Sequence, residues 1–201
     1  MPPSTKPRVR PKAVIPHKIR IIGGRFKRTP IPVIDRAGLR PTPDRVRETV
    51  FNWLTHLWDG EFEGRQVLDA FAGSGALGLE AVSRGVSRVV MIEHDRSAVA
   101  ALRMMCDKLD IRDAVLIAAD AMVAIPRQAP TRFDLIFLDP PFGGDWLDRA
   151  VPKALDVLAP DGLLYIEAEA LVPTPAGLEL LRIDRAGAVH FHLFRHAAVQ
   201  E

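Results

Sequence analysis

The chain has 201 residues, of which 48% are hydrophobic, so it can bury one substantial core but leaves little room for a second full domain. No apolar run approaches the roughly 18 residues that a membrane span needs, and no signal-peptide pattern stands near the N-terminus, so we expect a soluble, cytoplasmic protein. The net charge is only +2, and the one cysteine, Cys106, excludes an intrachain disulfide framework and a cysteine metal cluster.

The positive charge is concentrated in the first quarter of the chain. Residues 1–50 contain 13 Lys and Arg against three acids, whereas the other 151 residues contain 14 basic and 22 acidic side chains. A basic segment on an acidic body fits a polyanionic partner, most commonly nucleic acid. We therefore predict a basic flexible tail over 1–18, a hairpin and helix over 19–60 that dock nucleic acid, and the main domain over 61–201. For the tail, a merely solvated segment remains an alternative.

Two elements are predicted between the tail and the main domain. Residues 19–22 form an apolar run that predicts a short strand, ended by Gly23 and Gly24. Residues 43–58 begin with Pro43 and have apolar side chains at helical spacing, which predicts an amphipathic helix.

From residue 65 onward, apolar runs typical of strands alternate with amphipathic helical stretches. Strands are predicted at 67–71, 89–92, 114–118, 134–138 and 163–166, and helices at 76–84, 96–109, 120–127 and 146–158. Repeated strand-helix-strand units need parallel pairing through right-handed crossovers, so the body is an α/β, doubly wound, Rossmann-like sheet. Residues 178–183 and 189–194, on either side of Gly187, predict an antiparallel hairpin that closes it. Such sheets bind ligands at the carboxyl ends of their strands.

The first strand of this body leads into a glycine-rich loop that predicts a nucleotide or nucleoside site. Gly73, Gly75 and Gly78 match the dinucleotide fingerprint, and Glu93 at the end of the next strand suits ribose hydroxyls. An NAD-dependent oxidoreductase is therefore one alternative.

Asp69 favours S-adenosylmethionine as the cofactor instead. An acid just before the glycine turn would repel a pyrophosphate, but it suits a ligand with a sulfonium and an ammonium group. Asp120, after the third strand, can accept from an adenine amino group, while the Ala121 N–H serves a ring nitrogen. The predicted cofactor-binding residues are Asp69, Phe71, Ala72, Gly73, Gly75, Glu93, Asp120 and Ala121.

The fourth strand ends in Asp139, Pro140, Pro141 and Phe142, which we predict to be the catalytic residues. The lone pair of a base amino group is delocalised into the ring, so the group is a poor nucleophile. The Asp139 carboxylate and the Pro140 carbonyl can each accept one N–H, which orients the lone pair and stabilises the developing charge. The prolines stiffen the loop, and Phe142 offers a ring for base stacking, worth about 1 to 3 kcal/mol per base.

We expect no metal site. His190 and His192 alternate on the last predicted strand without partner cysteines or a carboxylate cluster, so they are interpreted as structural, and His94 as a loop residue.

These motifs, in this order, resemble the RsmD family of bacterial 16S rRNA guanine-N2 methyltransferases from about Ile19 to Arg195. The agreement is specific in three segments: the run from Arg40 to Leu54, the loop from Phe71 to Gly78, and the tetrapeptide from Asp139 to Phe142. The tetrapeptide alone is shared with DNA adenine-N6 methyltransferases, which remain an alternative, whereas the Arg40 to Leu54 run is characteristic of the family.

The resemblance implies transfer of one methyl group to N2 of guanine 966 of 16S rRNA in the assembling small subunit, by a protein that we expect to be a monomer. It also implies a seven-stranded methyltransferase sheet of order 3-2-1-4-5-7-6 with a small N-terminal hairpin. The candidate RNA-binding residues are Arg25, Lys27, Arg28, Arg40 and Arg45. One departure is that Arg28 stands where a glycine is often found.

Overall fold

The structure, a computed structural model, describes residues 19–32 and 42–197. Within these ranges the chain forms β1 (Ile19–Arg20), β2 (Pro30–Ile31), α1 (Asp44–Leu57), β3 (Gln66–Asp69), α2 (Ala76–Arg84), β4 (Arg88–Glu93), α3 (Arg96–Lys108), β5 (Ala114–Ala118), α4 (Ala121–Ala124), β6 (Phe133–Leu138), α5 (Trp146–Leu155), β7 (Leu158–Ala168), β8 (Leu178–Ala186) and β9 (Val189–His196). The predicted tail over 1–18 and the candidate residue Arg40 lie outside the described residues.

Strands β3 to β9 form one seven-stranded sheet in the order β5-β4-β3-β6-β7-β9-β8. Strands β3 to β7 pair in parallel, and β9 pairs antiparallel with both β7 and β8. If the seven strands of this sheet are numbered 1 to 7 in chain order, starting at β3, the order is the predicted 3-2-1-4-5-7-6. The doubly wound α/β class, the closing hairpin and the small N-terminal β element, in which Ile19 pairs with Ile31, are confirmed.

Alternate residues of each central strand are buried in two separate cores, one on each face of the sheet. Val67 and Leu135 pack with α1, α2 and α3, whereas Leu68 and Ile136 pack with α4 and α5. A strand covered by helices on both faces has no polar face, which is why the strands appear as continuous apolar runs in the sequence.

The N-terminal segment is held against α2 by a buried carboxylate. Glu80 accepts hydrogen bonds from the backbone N–H groups of Ile22 (2.7 Å) and Gly23 (2.8 Å). These two groups are therefore not available for a strand ladder, so β1 ends at Arg20 and is shorter than the predicted strand over 19–22.

Arg47 on α1 is fully buried and also contacts Glu80, so it links α1 to the same carboxylate. Its guanidinium lies 2.6 Å from Asp44 and 3.6 Å from Glu80, and its Nε donates to the carbonyl of Thr42 (3.4 Å). Removing one partner of a buried ion pair leaves the other charge uncompensated, at about 3–5 kcal/mol. Arg47 thus fixes the start of α1, and with it Thr42, relative to the sheet.

Two predicted helices are shorter than the sequence pattern indicates. The helix over 120–127 ends at Ala124 and continues as a 3₁₀ turn, because Pro126 has no N–H to donate to the preceding turn. The helix over 146–158 ends at Leu155, because the chain then enters β7.

Candidate methyltransferase site

Four acids lie at the carboxyl edge of the parallel part of the sheet. Asp69 and Glu93 end β3 and β4, and Asp120 and Asp139 follow β5 and β6. Because β3, β4, β5 and β6 are neighbours in the sheet, these side chains face a common crevice outside the strand ends.

Asp69 is a buried carboxylate at the floor of this edge. Only 2% of the residue is exposed, and its Oδ2 accepts from the backbone N–H of Gly78 (2.9 Å). Burial raises the pKa of Asp69 to about 7, and the nearby Asp139 and Glu93 carboxylates act in the same direction. Within the described ranges, no Lys or Arg forms an ion pair with Asp69. The site therefore favours a positively charged ligand group.

The glycine loop after Asp69 brings backbone close to the crevice. Gly75 has a φ of 78°, in the left-handed region that favours glycine, and a Cβ there would lie 2.3 Å from Leu102. The Gly75 N–H donates to the carbonyl of Ala72 (2.6 Å), which closes the turn. The predicted loop thus forms a cradle in which larger residues would not fit.

Glu93 has a second role that the sequence did not indicate. Its two carboxylate oxygens accept from the backbone N–H groups of Gly73 (2.8 Å) and Asp95 (2.7 Å). Glu93 therefore holds the glycine loop against β4, in addition to standing where a ribose binder is predicted.

The far side of the crevice is formed by Asp120, Ala121 and two aromatic rings. Asp120 Oδ1 accepts from the Met122 N–H (2.7 Å) and caps α4, so its carboxylate is fixed by the first turn of that helix, while Ala121 is buried. Phe71 packs edge-on against Trp146, with ring centroids 6.3 Å apart.

Asp139 follows β6, at one end of the row of four acids, and is bound by a residue from the N-terminal region. The hydroxyl of Thr42, which is 4% exposed, donates to Asp139 Oδ2 (3.1 Å). Burial raises the pKa of Asp139 to about 6, although the Thr42 hydrogen bond acts against this rise. Thr42 precedes α1 and is far from Asp139 in sequence, so nothing local in the chain indicates this contact.

The rest of the tetrapeptide opens onto a cleft of about 310 Å³. Pro140 is buried, Pro141 is exposed, and the Phe142 ring is 38% exposed. An exposed aromatic ring beside a cleft of this size can stack on one planar base.

Glu167 is a further acid at this cleft that the sequence analysis missed. It is 3% exposed and accepts a hydrogen bond from the Tyr165 hydroxyl (2.8 Å). Burial raises the pKa of Glu167 well above its usual range, and the nearby Asp139 carboxylate adds to the rise. The available signal was a carboxylate directly after the apolar run of 163–166.

The basic turn, residues 25–28, lies at the other end of α2 from the glycine loop. Arg25 pairs with Asp113 (3.1 Å), and Lys27 and Arg28 are exposed. Arg28 has a φ of 71°, which explains why a glycine suits this position.

Close hydrogen bonding to α2 holds the basic turn. The Ser83 carbonyl accepts a hydrogen bond from the Arg25 N–H (2.7 Å), and the Ser83 hydroxyl oxygen accepts one from the Phe26 N–H (2.9 Å). The basic turn therefore presents its charges from a fixed position. Arg45 is exposed in the first turn of α1, three residues after Thr42.

Within residues 19–32 and 42–197, no group of three or more His, Cys, Asp and Glu side chains is arranged to hold a metal ion. In the same ranges, no helix is both long and apolar enough to cross a membrane. His192 is buried, and its Nε2 accepts from the Val172 N–H (3.2 Å), which gives it a structural contact with the loop that borders the cleft.

Comparison with known proteins identifies one family over nearly the whole described chain. The family model described as Conserved hypothetical protein 95 matches residues 19–195. Ribosomal RNA small subunit methyltransferase D of Escherichia coli K12 is 39% identical over 92% of this chain and 93% of its own length. The protein of the same name from Haemophilus influenzae is 35% identical over 89% of this chain and 94% of its own length.

Solved structures agree with this assignment. The yhhF protein of Escherichia coli has 39% sequence identity and a TM-score of 0.79, and the match covers 90% of this chain and 99% of that one.

Proposed function

Since this chain belongs to the Conserved hypothetical protein 95 family, the RsmD family, we propose that it methylates the exocyclic N2 of one guanine, position 966, in 16S rRNA. It is an S-adenosylmethionine-dependent rRNA methyltransferase. The observation that most supports the chemistry is the Asp139 carboxylate, which Thr42 holds at the sheet edge beside the glycine loop.

The residues at this edge fit S-adenosylmethionine, which supplies an activated methyl group on a sulfonium. Asp69 would pair with the ammonium of the methionyl part, because it is a buried carboxylate without a described cationic partner. Glu93 would accept from the ribose hydroxyls, and Asp120 with the Ala121 N–H would bind the adenine edge. The Gly75 turn would let the cofactor approach the backbone closely.

Catalysis requires that the lone pair of the guanine amino group be freed from the ring and aimed at the methyl group. Asp139 and the Pro140 carbonyl would accept one N–H each, which leaves the lone pair pointing away from them. As the bond forms, the nitrogen becomes positive, and the Asp139 carboxylate stabilises that charge. The methylated nitrogen then loses a proton to Asp139 or water. Thr42 is a positioning residue, since it holds Asp139 without touching the base.

The target base would leave its stack and enter the cleft beside the tetrapeptide. Phe142, exposed at the mouth of the cleft, would stack on the base, and Pro141 would keep the loop stiff.

RNA would dock on the basic N-terminal segment rather than on the acidic body. Arg25, Lys27 and Arg28 project from the fixed turn against α2, and Arg45 stands close to Thr42 and thus to the reaction site. We assign Arg40 and the whole hairpin and helix region over 19–60 to the same docking role, and residues 1–18 remain a predicted basic flexible tail. The substrate would be rRNA in the assembling small subunit in the cytoplasm, bound by a monomer whose catalytic domain spans 61–201.

The proposal is tested by incubating the protein with labelled S-adenosylmethionine and 16S rRNA that lacks modification at position 966. Nucleoside mass spectrometry should find N2-methylguanosine with wild-type protein and none with Asp139→Ala. Labelled N6-methyladenosine or 1-methylguanosine would contradict the proposal, because each is a product of a different target atom.

A further inference from the structure

Glu167 occupies a place beside Asp139 that the catalytic scheme above does not use. In the parallel pairing of β6 and β7, Leu138 is opposite Ile166, so the next residues, Asp139 and Glu167, leave the sheet side by side. Glu167 also lines the cleft of about 310 Å³ that Pro140, Pro141 and Phe142 border. The base that reaches Asp139 therefore lies within reach of a second carboxylate.

The Glu167 carboxylate is held in a defined orientation. The Tyr165 hydroxyl donates to its Oε1 (2.8 Å), and the Thr42 hydroxyl donates to the adjacent Asp139 (3.1 Å). In the described part of the chain, no Lys or Arg pairs with it. A carboxylate that is 3% exposed, oriented by a hydroxyl and directed at a ligand cleft retains acceptor capacity for a ligand N–H.

Guanine and adenine differ in the ring nitrogen N1, which lies next to the carbon that bears the amino group. In guanine the ring nitrogen N1 next to the amino-bearing carbon has a hydrogen and is a donor. In adenine, the ring nitrogen next to the amino-bearing carbon has only a lone pair. Two adjacent acceptors in the site therefore match the N2–H and N1–H edge of guanine, whereas the lone pair of adenine N1 would face a carboxylate without a hydrogen bond.

We propose that Glu167 is the residue that selects guanine, by accepting a hydrogen bond from N1–H while Asp139 accepts from the N2 amino group. This inference rests on the proposed function and adds to it the group that recognises the base. It also explains why the tetrapeptide shared with adenine-specific enzymes can serve guanine here: the neighbouring strand supplies the discriminating acceptor.

The test compares two RNAs that differ only at the target base, guanine or 2-aminopurine. Both bases have the amino group at C2, but 2-aminopurine has a lone pair at N1 instead of N1–H. Wild-type protein should prefer guanine in kcat/KM for methyl transfer, and in RNA affinity with S-adenosylhomocysteine present. In Glu167→Gln the preference should shrink by roughly 10- to 100-fold, the range that the loss of one buried hydrogen bond supplies. 2-Aminopurine also lacks the O6 of guanine, but this difference affects wild-type protein and Glu167→Gln alike, so it cancels when their two preferences are compared.

Glu169→Gln is the matched control, because Glu169 is an exposed acid at the same cleft and the side-chain change is the same. It should keep the wild-type preference. Binding of S-adenosylhomocysteine and the melting temperature report whether Glu167→Gln is folded. Wild-type protein gives a test without any substitution: RNA with 1-methylguanine, which retains the amino group and O6, should be rejected.

The outcomes separate the two proposals. If wild-type protein does not methylate the guanine RNA, the proposed function itself is wrong. If it does, but Glu167→Gln retains the full preference for guanine, or wild-type protein accepts 1-methylguanine as well as guanine, Glu167 does not select the base.

Discussion

The affinity for S-adenosylmethionine should depend on pH through the buried Asp69 carboxylate. Burial raises the pKa of Asp69 to about 7, and Asp139 and Glu93 add to this effect. An ammonium group pairs with the ionised carboxylate, so the cofactor must displace a proton from Asp69 whenever the pH is below 7. Affinity should therefore rise with pH and level off above neutrality.

The size of the effect follows from the pKa. For one group of pKa about 7 that must be ionised in the complex, affinity falls tenfold for each pH step below that value. Between pH 8 and pH 5.5 the loss is roughly 30-fold, or about 2 kcal/mol. S-adenosylhomocysteine retains the ammonium and should show the same dependence. 5′-Methylthioadenosine lacks the ammonium and should show none.

Isothermal titration calorimetry measures both the affinity and the protons released, if buffers of different ionisation enthalpy are used. At pH 6, binding of S-adenosylmethionine should release close to one proton. Asp69→Asn should bind weakly and without this pH dependence, while its amide oxygen can still accept from Gly78. A flat affinity between pH 5.5 and 8, or no proton release, would refute the assignment of Asp69 to the ammonium.

The stability of the free protein should depend on pH in the opposite direction from the cofactor affinity, through the same Asp69 carboxylate. A folded-state pKa above the unfolded value means that the folded chain binds more protons, so the stability from protonated Asp69 is present below pH 3.8 and is lost as the pH rises through about 7. This contribution amounts to about 4 kcal/mol in the free energy of unfolding. Denaturant unfolding without cofactor should show a smaller loss of stability toward pH 8 in Asp69→Asn than in wild type.

Three further variants test separate parts of the scheme. Asp139→Ala should lower methyl transfer by at least about 100-fold with unchanged cofactor affinity, because the side chain orients the base amino group; near-normal turnover would exclude the mechanism. Glu93→Ala should weaken cofactor binding by about 10-fold or more with little change in RNA affinity, and an unchanged calorimetric affinity would exclude a ribose contact. Neutralising Arg25, Lys27 and Arg28 together should weaken RNA binding. It should also reduce the slope of log affinity against log salt concentration by about 0.7 to 0.9 per lost phosphate contact, and an unchanged slope would mean that the turn is only solvated.

The sequence predicted the fold because each element has a local signal. The apolar runs, the amphipathic helices and the glycine loop each depend on neighbouring residues, and together they indicated the doubly wound α/β class. The strand order that the structure has was implied by the family resemblance. The glycine loop alone could not separate an oxidoreductase from a methyltransferase. The family assignment, which includes the segment up to Arg195, does so.

The missed parts of the site depend on contacts across long stretches of chain. Thr42 reaches Asp139 only because Arg47 and Glu80 tie the start of α1 to the catalytic domain. Glu167 faces the same cleft only because β7 lies beside β6 in the sheet. In a single sequence, Glu80 and Arg47 are indistinguishable from ordinary charged residues of an amphipathic helix, since their burial is decided by tertiary packing.

One measurement tests the proposed activity most directly. 16S rRNA from cells that lack this gene is incubated with the purified protein and S-adenosylmethionine, and the modified nucleotide is located by nuclease digestion and mass spectrometry. The proposed function predicts N2-methylguanosine at position 966 with wild-type protein and its absence with Asp139→Ala. No methylation of this RNA, either free or in small-subunit particles, or methylation at a different atom or nucleotide, would contradict the proposed activity.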